Sequence, residues 1–450
     1  MSRSPARIAH DQALSALRAK LAALPDGSPV RLAKPTSNLF RFREPPPAGA
    51  LDVSAFAGVL HVDPVARTAE VGGMTTYEDL VDATLPHGLM PTVVPQLKTI
   101  TLGGAVAGLG IESTSFRAGM PHEAVLELEI LTPAGEVVVA RPDNEHRDLY
   151  FGFPNSYGTL GYALRLLIEL APVRPYVALR HVGYGSAAAC AAAIQDVDAS
   201  VDFVDGTVFA RDEQYLTLGT FTDEAPWVSD YTGGRIYYHS VRDRAEDYLT
   251  VRDYLWRWDT DWFWCSKALG AQHPLVRRLW PRRYLRSDVY RRIVALDRRY
   301  GLSARVDRLL GNPEREPVIQ DIEVPVERLA EFLEFFDTEI GIRPVWLCPV
   351  RLREPTGWPL YPMPPHRLFV NVGFWATVPL RPGQRPGHHN RLIEAKVTEL
   401  GGHKSLYSDS YFDEDEFWRL YDGETYRKLK GTYDLDGRLP DLYAKCVGNR

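Results

Sequence analysis

Apolar and polar positions change texture along the chain, and the change divides it. Ala9–Ala23 reads as an amphipathic surface helix. Further on, Ala124–Leu131 is strand-like, Pro133-Ala134-Gly135 is a turn, and Tyr162–Ile168 is an apolar run closing the first part. Short strands, glycine turns and few helices over 1–172 predict an α+β domain. Pro172-Val173-Arg174-Pro175 is a stiff connector and a natural boundary. Beyond it Val177–Val182, Thr207–Ala210, Glu213–Thr220, Gln320–Val326 and Arg367–Phe374 read as strands. Ala187–Gln195 and Val326–Thr338 read as helices between them, so 173–400 is expected to be a sheet covered by helices. Asp413–Lys430 is helical, and Asp434-Leu435-Asp436-Gly437 is a turn within the final segment, 401–450.

Three glycine-dense turns change the picture. Thr101-Leu102-Gly103-Gly104, Gly108-Leu109-Gly110 and Tyr157-Gly158-Thr159-Leu160-Gly161 stand beside apolar strands. Glycine lets a backbone approach a ligand closely, and successive N–H groups form nests for a pyrophosphate. The alternative is that these glycines only make turns.

At 450 residues the chain is long enough for two cores, and 45% hydrophobic with 24% charged residues is globular composition. Cys190, Cys265, Cys348 and Cys446 lie far apart, which argues against zinc sites and disulfide frameworks and predicts no metal. No apolar run is long enough for a membrane span, and Met1–Lys20 lacks a signal-peptide core. The cytoplasm is the expected location. Net charge is −6, yet Arg277–Arg308 holds eleven arginines against three aspartates, interleaved with Trp280, Tyr284, Tyr290 and Tyr300. An anionic membrane surface on the inner face suits this pattern; a solvated face with internal salt bridges is the other open reading. Nucleic acid is not expected.

The order of these segments resembles the FAD-binding domain of the vanillyl-alcohol-oxidase/PCMH-type flavoproteins. Gly58–Asp63 through Ala69–Gly73 resembles that family's strand–turn–strand, with Thr76–Leu85 the helix that follows. Thr101–Gly104 resembles its Gly-Gly turn, Ala124–Val139 its strand pair, and Asp148–Glu169 its last glycine turn and strand. The resemblance implies a two-subdomain FAD domain, an α/β substrate (cap) domain, and a C-terminal tail returning to the FAD domain. Its FAD contacts would be Pro95, Gln96, Thr101, Leu102, Gly103, Gly104, Gly108, Gly110, Ser113, Gly158, Thr159, Gly161 and Ile168. The pyrophosphate loop would hold Pro35, Thr36, Ser37 and Asn38, although Arg31–Asn38 lacks the family's glycines. It also lacks an anchoring histidine, so non-covalent FAD is implied.

Later segments narrow the resemblance to the Δ24-sterol reductase (seladin) group. They include Val318–Pro325, Pro344-Val345-Trp346-Leu347-Cys348-Pro349, Leu406–Tyr411 and Glu416-Phe417-Trp418. Within that group the chain looks closest to actinobacterial reductases of methylene-branched fatty acyl chains, which make tuberculostearate-type lipids. The implied reaction is NADPH-driven reduction of an unconjugated lipid C=C bond, with a methyltransferase as candidate partner supplying the alkene. A sterol side chain or an alcohol oxidation are alternative reactions. An isolated alkene needs a positioned acid and aromatic faces for the cationic carbon. Acid candidates are Tyr407, which leads, Asp409, Tyr411, His273 and Glu323. Tyr254–Trp264 reads either as a helix with an aromatic stripe in the core or as a pocket wall. Lys404, with His403, is a candidate for positive charge near the flavin. His388-His389 is expected in an exposed turn.

Overall fold

The computed structural model describes residues 5–34, 49–198, 200–301, 305 and 309–448. Helix α1 (Pro5–Ala22) precedes an antiparallel sheet whose strands are β1 (Val59–Asp63), β2 (Thr68–Gly72), β3 (Leu89–Pro91), β4 (Val125–Leu131), β5 (Val137–Ala140) and β6 (Tyr162–Pro172). The spatial order is β1-β2-β6-β4-β5, and β3 pairs with β6. Alternation buries Val71, Leu128, Ile130, Leu166 and Ile168 on one side. Helices α2 (Tyr77–Thr84) and α3 (Leu102–Ala107) pack there. Thr76 caps α2 by accepting the Asp79 N–H.

The second sheet has eight strands. They are β7 (Tyr176–Tyr184), β8 (Phe203–Ala210), β9 (Glu213–Thr222), β10 (Glu246–Thr250), β11 (Arg315–Pro325), β12 (Val345–Val350), β13 (Phe369–Pro379) and β14 (His403–Lys404). Their order is β10-β7-β9-β8-β12-β13-β11-β14. Helices α4 (Ala187–Gln195), α5 (Pro274–Leu279), α6 (Ser287–Tyr300), α7 (Leu329–Glu339) and α8 (His388–Glu399) accompany it. Of these α4, α7 and α8 cover one face, where Ile194, Ile322, Phe332, Leu347, Val372 and Ile393 form a dry core. The molecule is therefore mixed α/β: a domain built on the antiparallel sheet followed by a helix-covered sheet.

The last segment returns to the first sheet. Helices α9 (Glu414–Leu420) and α10 (Gly423–Tyr433) replace the single predicted helix, because Asp422 takes a left-handed conformation and caps the second by accepting the Thr425 N–H. From α10, Lys430 Nζ donates to the Thr159 carbonyl at 2.8 Å, and Tyr433 to Asp148 at 2.8 Å.

Two further expectations need correction. The aromatic segment is not one helix: the α-helix stops at Leu255, a single 3-10 turn follows at Asp259–Asp261, and Trp262, Phe263 and Trp264 all have positive φ. His388-His389 begins helix α8, and His389 is buried against the Glu316 carboxylate at 3.0 Å.

Candidate functional site

The face of the eight-stranded sheet opposite α4, α7 and α8 differs from the one they cover. Directly opposed residues share a face, and one row runs Thr207–Trp346–Gly373–Asp321. The next runs Cys348–Asn371–Glu323–His403. On β11 the intervening Ile322 and Val324 turn into the dry core. One strand thus presents two carboxylates, at i and i+2, to the same side.

Asp321 accepts from Asn371 Nδ2 at 3.0 Å and from the Tyr407 hydroxyl. Burial pushes its carboxyl up to about 6 against those two hydrogen bonds. Glu323 is wholly buried, bonded to the Tyr361 hydroxyl, with Ser405 Oγ at 3.5 Å. Burial, and then the Asp321 charge, hold it well above the usual carboxylate range. His403 is pushed down to about 4 by burial, so its ring is neutral. Tyr407 also accepts the Trp375 indole N–H at 2.9 Å.

Trp375 joins this cluster to the aromatic wall. Its ring lies 4.7 Å from Phe263, 5.7 Å from Trp264 and 6.4 Å from Trp346. The left-handed backbone at Trp262–Trp264 makes this possible, since successive residues such as Phe263 and Trp264 do not share a face of a regular helix. Gly373 makes the room: a Cβ there would stand 2.5 Å from Asp321 Oδ1 and 2.7 Å from the Trp375 ring.

The other predicted acids are elsewhere. Asp409 is exposed, Tyr411 lies half-buried under Arg391 with its N–H on Glu394, and His273 is exposed just before α5. Lys404 corrects an expectation. Opposite Ile322 in the register, it faces the helices, where it pairs with Glu394 of α8 at 2.5 Å and bonds the Asp409 carbonyl. Its charge is met there, away from Asp321 and Glu323.

In the first domain, the glycine turns are joined to each other. The Asn155 and Tyr157 N–H groups donate to Gly108 and Ala107 at 3.2 and 2.7 Å. Asn155, Tyr157 and Gly158 all have positive φ. Thr101-Leu102-Gly103-Gly104 is not a free turn but the start of α3. Leu102 and Gly103 N–H groups are already engaged by Thr75 and Gly73 carbonyls at 2.9 Å. Gly103 is glycine because a Cβ would meet Gly73 O at 2.7 Å. Gly110 sits between the Pro95 and Pro121 rings, Gly161 abuts Ile130 and Leu131, and Thr159 bonds the Ser156 carbonyl. Ile168 is a strand residue of the sheet interior. Pro35, Thr36, Ser37 and Asn38 lie outside the described residues.

These loops fit a polar cofactor on one observation. The segment from Thr92 to Thr101 buries side-chain oxygens of Thr92, Gln96, Thr99 and Thr101 with no hydrogen-bond partner, as does the turn at Asn155 and Ser156. Buried polar atoms are ordinarily satisfied, so such a concentration points to a missing partner. Gln96 and Ser113 also belong to a second network. The Gln96 N–H and amide side chain bond Glu112, and Ser113 Oγ accepts from Tyr254 at 3.1 Å. Arg257 follows, paired with Asp205 at 2.8 Å. Burial raises the Glu112 carboxyl to about 8.

Sequence reasoning missed Asp321, Trp375, Tyr361 and Gly373. The alternation of Asp321 and Glu323 within an otherwise apolar strand was the available signal.

Joined glycine loops with unmet polar atoms in the first domain, and a sheet face carrying acids and aromatics in the second, are the features to set beside known proteins. Residues 25–141 match the FAD binding domain family, the PCMH type. At full length the chain is sterol-reductase-like. It is 28% identical over 441 residues to Delta(24)-sterol reductase of Arabidopsis thaliana, covering 89% of this chain and 77% of that one. The Homo sapiens Delta(24)-sterol reductase is 28% identical over 414 residues, 88% and 75% of the two chains. Over a shorter stretch, cytokinin dehydrogenase 7 of Oryza sativa subsp. japonica is 32% identical across 140 residues, 31% of this chain and 25% of that one.

Proposed function

We propose that the protein is an FAD-dependent reductase of an isolated carbon–carbon double bond in a lipid, with NADPH as electron donor and a methylene-branched fatty acyl chain as substrate. The observation that carries this is Trp375, which holds the Tyr407 hydroxyl through its indole N–H while its ring belongs to the Phe263–Trp264–Trp346 wall. An alkene without a carbonyl requires a proton on one carbon and stabilisation of positive charge on the other, and these residues supply both.

Bound FAD, when reduced, would supply hydride; Thr101, Gly104, Gly108, Ser156 and Gly158 are the residues that would hold it. Tyr407 Oη is the proton donor to the less substituted carbon. Asp321, whose carboxyl titrates at about 6, acts in its acid form: it takes a proton from solvent and passes it to Tyr407 Oη as that hydroxyl gives its own to the alkene. Glu323, kept neutral, adds no negative charge of its own beside Asp321. The aromatic wall excludes water and faces the tertiary centre.

A sterol side chain is the second reading, favoured by the names of the full-length relatives. The test is anaerobic. Protein loaded with FAD and reduced by NADPH is mixed with a methylene-acyl phospholipid or a Δ24-sterol, following flavin absorbance near 450 nm and product mass. Rapid reoxidation with a two-hydrogen mass gain in the acyl chain is expected. A reduced flavin that neither alkene oxidises, but that O₂ does during alcohol turnover, would sink the proposal.

A further inference from the structure

Helix α5 is built inside out for a solvated helix. Arg277 is 4% exposed, whereas Leu279 is 83% exposed and Leu275 66%. The arginine points inward to bond Asp261 at 3.1 Å and the Gly233 carbonyl at 2.8 Å. Helix α6 follows suit. Tyr290 is buried, while Arg292, Leu296, Arg299 and Tyr300, spaced i, i+4, i+7 and i+8, form one exposed face. Of the exposed large hydrophobic residues, most lie between Leu275 and Leu310, with Leu309 and Leu310 the last.

Both helices hang from one short turn, Asp259–Asp261. Arg277 grips Asp261, Ser287 bonds Asp259 at 2.5 Å, and Tyr290 donates to the Thr260 carbonyl at 3.1 Å. Trp280 rests on Tyr290 at 5.8 Å. With their inner faces fixed to the same turn, both helices leave leucines and arginines exposed. Arginine heads stand among the leucines. Arg278, Arg283 and Arg299 have no carboxylate partner among the described residues, and Arg283 and Arg299 lie over Tyr284 and Tyr300.

We propose that α5, α6 and the leucines at 309–310 form a docking face for an anionic lipid bilayer. Exposed aliphatics would insert between headgroups, tyrosines sit at the interface, and unpaired arginines meet lipid phosphates. Charge complementarity chooses this occupant over a second copy of the chain, whose like-charged face would repel it. The face also has a route to the site: Asp261 is followed at once by Trp262, Phe263 and Trp264 of the aromatic wall. Docking itself does not depend on the reductase reading, since it needs neither flavin turnover nor a particular alkene.

The test is co-sedimentation of the full, FAD-loaded chain with phosphatidylglycerol vesicles and with neutral phosphatidylcholine vesicles. Pelleting with the anionic vesicles, weakened by salt, is expected. Arg278→Gln with Arg283→Gln should lower partitioning about thirtyfold, at ~1 kcal/mol per arginine. Leu275→Glu with Leu279→Glu should abolish it. Val65→Glu with Leu435→Glu, at equally exposed positions elsewhere (94% and 84%), should leave binding unchanged and control for non-specific effects. The proposal is overturned if wild-type protein stays in the supernatant at low salt, binds both vesicle types equally, or is weakened as much by the control pair. It is likewise overturned if the face retains duplex DNA but not vesicles, or if Leu275→Glu with Leu279→Glu only dissolves a self-associated form.

Discussion

The two faces of the eight-stranded sheet are built from the same strands by alternation, yet they obey different rules. Under α4, α7 and α8 the side chains are mostly aliphatic and aromatic hydrocarbon, and the ionisable groups there are paired, Glu316 with His389 and Lys404 with Glu394. On the opposite face, the same strand presents Asp321 and Glu323 to Asn371, Tyr407 and Tyr361. A carboxyl placed there costs desolvation that no ion pair among the described residues offsets, which is why both are pushed toward their neutral forms. Stability resides on one face and chemistry on the other. Perturbed acids retained against that cost are the mark of a functional site.

The sharpest break of this comparison is Tyr407→Phe. It keeps the ring and removes only the hydroxyl that donates the proton, so turnover should fall about 10²–10⁴-fold if the face does proton chemistry, while the protein stays folded. Single-turnover reoxidation of reduced flavin by alkene measures the first, and thermal unfolding the second. Turnover within threefold of wild type would remove Tyr407 from the mechanism. The covered face should behave in the opposite way. Phe332→Ala on α7, wholly buried, should cost about 3–5 kcal/mol in denaturant unfolding and leave turnover per folded molecule unchanged.

Much of this division was legible in the sequence, and the exceptions have physical causes. Val177–Val182, Ala187–Gln195 and Glu213–Thr220 announce strand, helix and strand through local periodicity, and the structure extends them by only a few residues at most. Lys404 went the other way because a two-residue strand has no periodicity to read; only its pairing with Ile322 decides which face it takes. Trp262–Trp264 defeat helix reasoning because their left-handed backbone is imposed by tertiary packing against Trp375 and Trp346, not by local preference. Gly103, read as part of a ligand turn, also serves a backbone-to-backbone contact with Gly73. Glycine alone does not tell which kind of close approach it permits.

A smaller effect separates the faces by pH. The folded Asp321 carboxyl titrates at about 6 against an ordinary 3.8. The native state therefore keeps its proton where the unfolded chain has lost it. That advantage is complete below pH 3.8 and disappears as pH rises to about 6, a change of about 3 kcal/mol at most. Asp321→Asn should remove this slope, leaving the variant more stable than wild type above pH 6 by up to about that amount. Urea unfolding at pH 4 and pH 7 gives the comparison, and equal pH slopes in the two proteins would mean the carboxyl is solvated.

The gentlest test lies where the two faces meet the aromatic wall. Trp375→Phe keeps a ring against Phe263 and Trp264 but deletes the N–H that Tyr407 accepts. One neutral hydrogen bond is worth about 0.5–1.5 kcal/mol, so turnover should fall by roughly two- to tenfold with substrate affinity little changed. Trp375→Leu removes the face as well as the donor and should cost more in turnover than in KM, because charge on the tertiary carbon exists only in the transition state. If phenylalanine and leucine are equally poor, the indole matters only for positioning Tyr407. If both match wild type, the wall is packing, and the acid-bearing face is a second core that happens to contain acids.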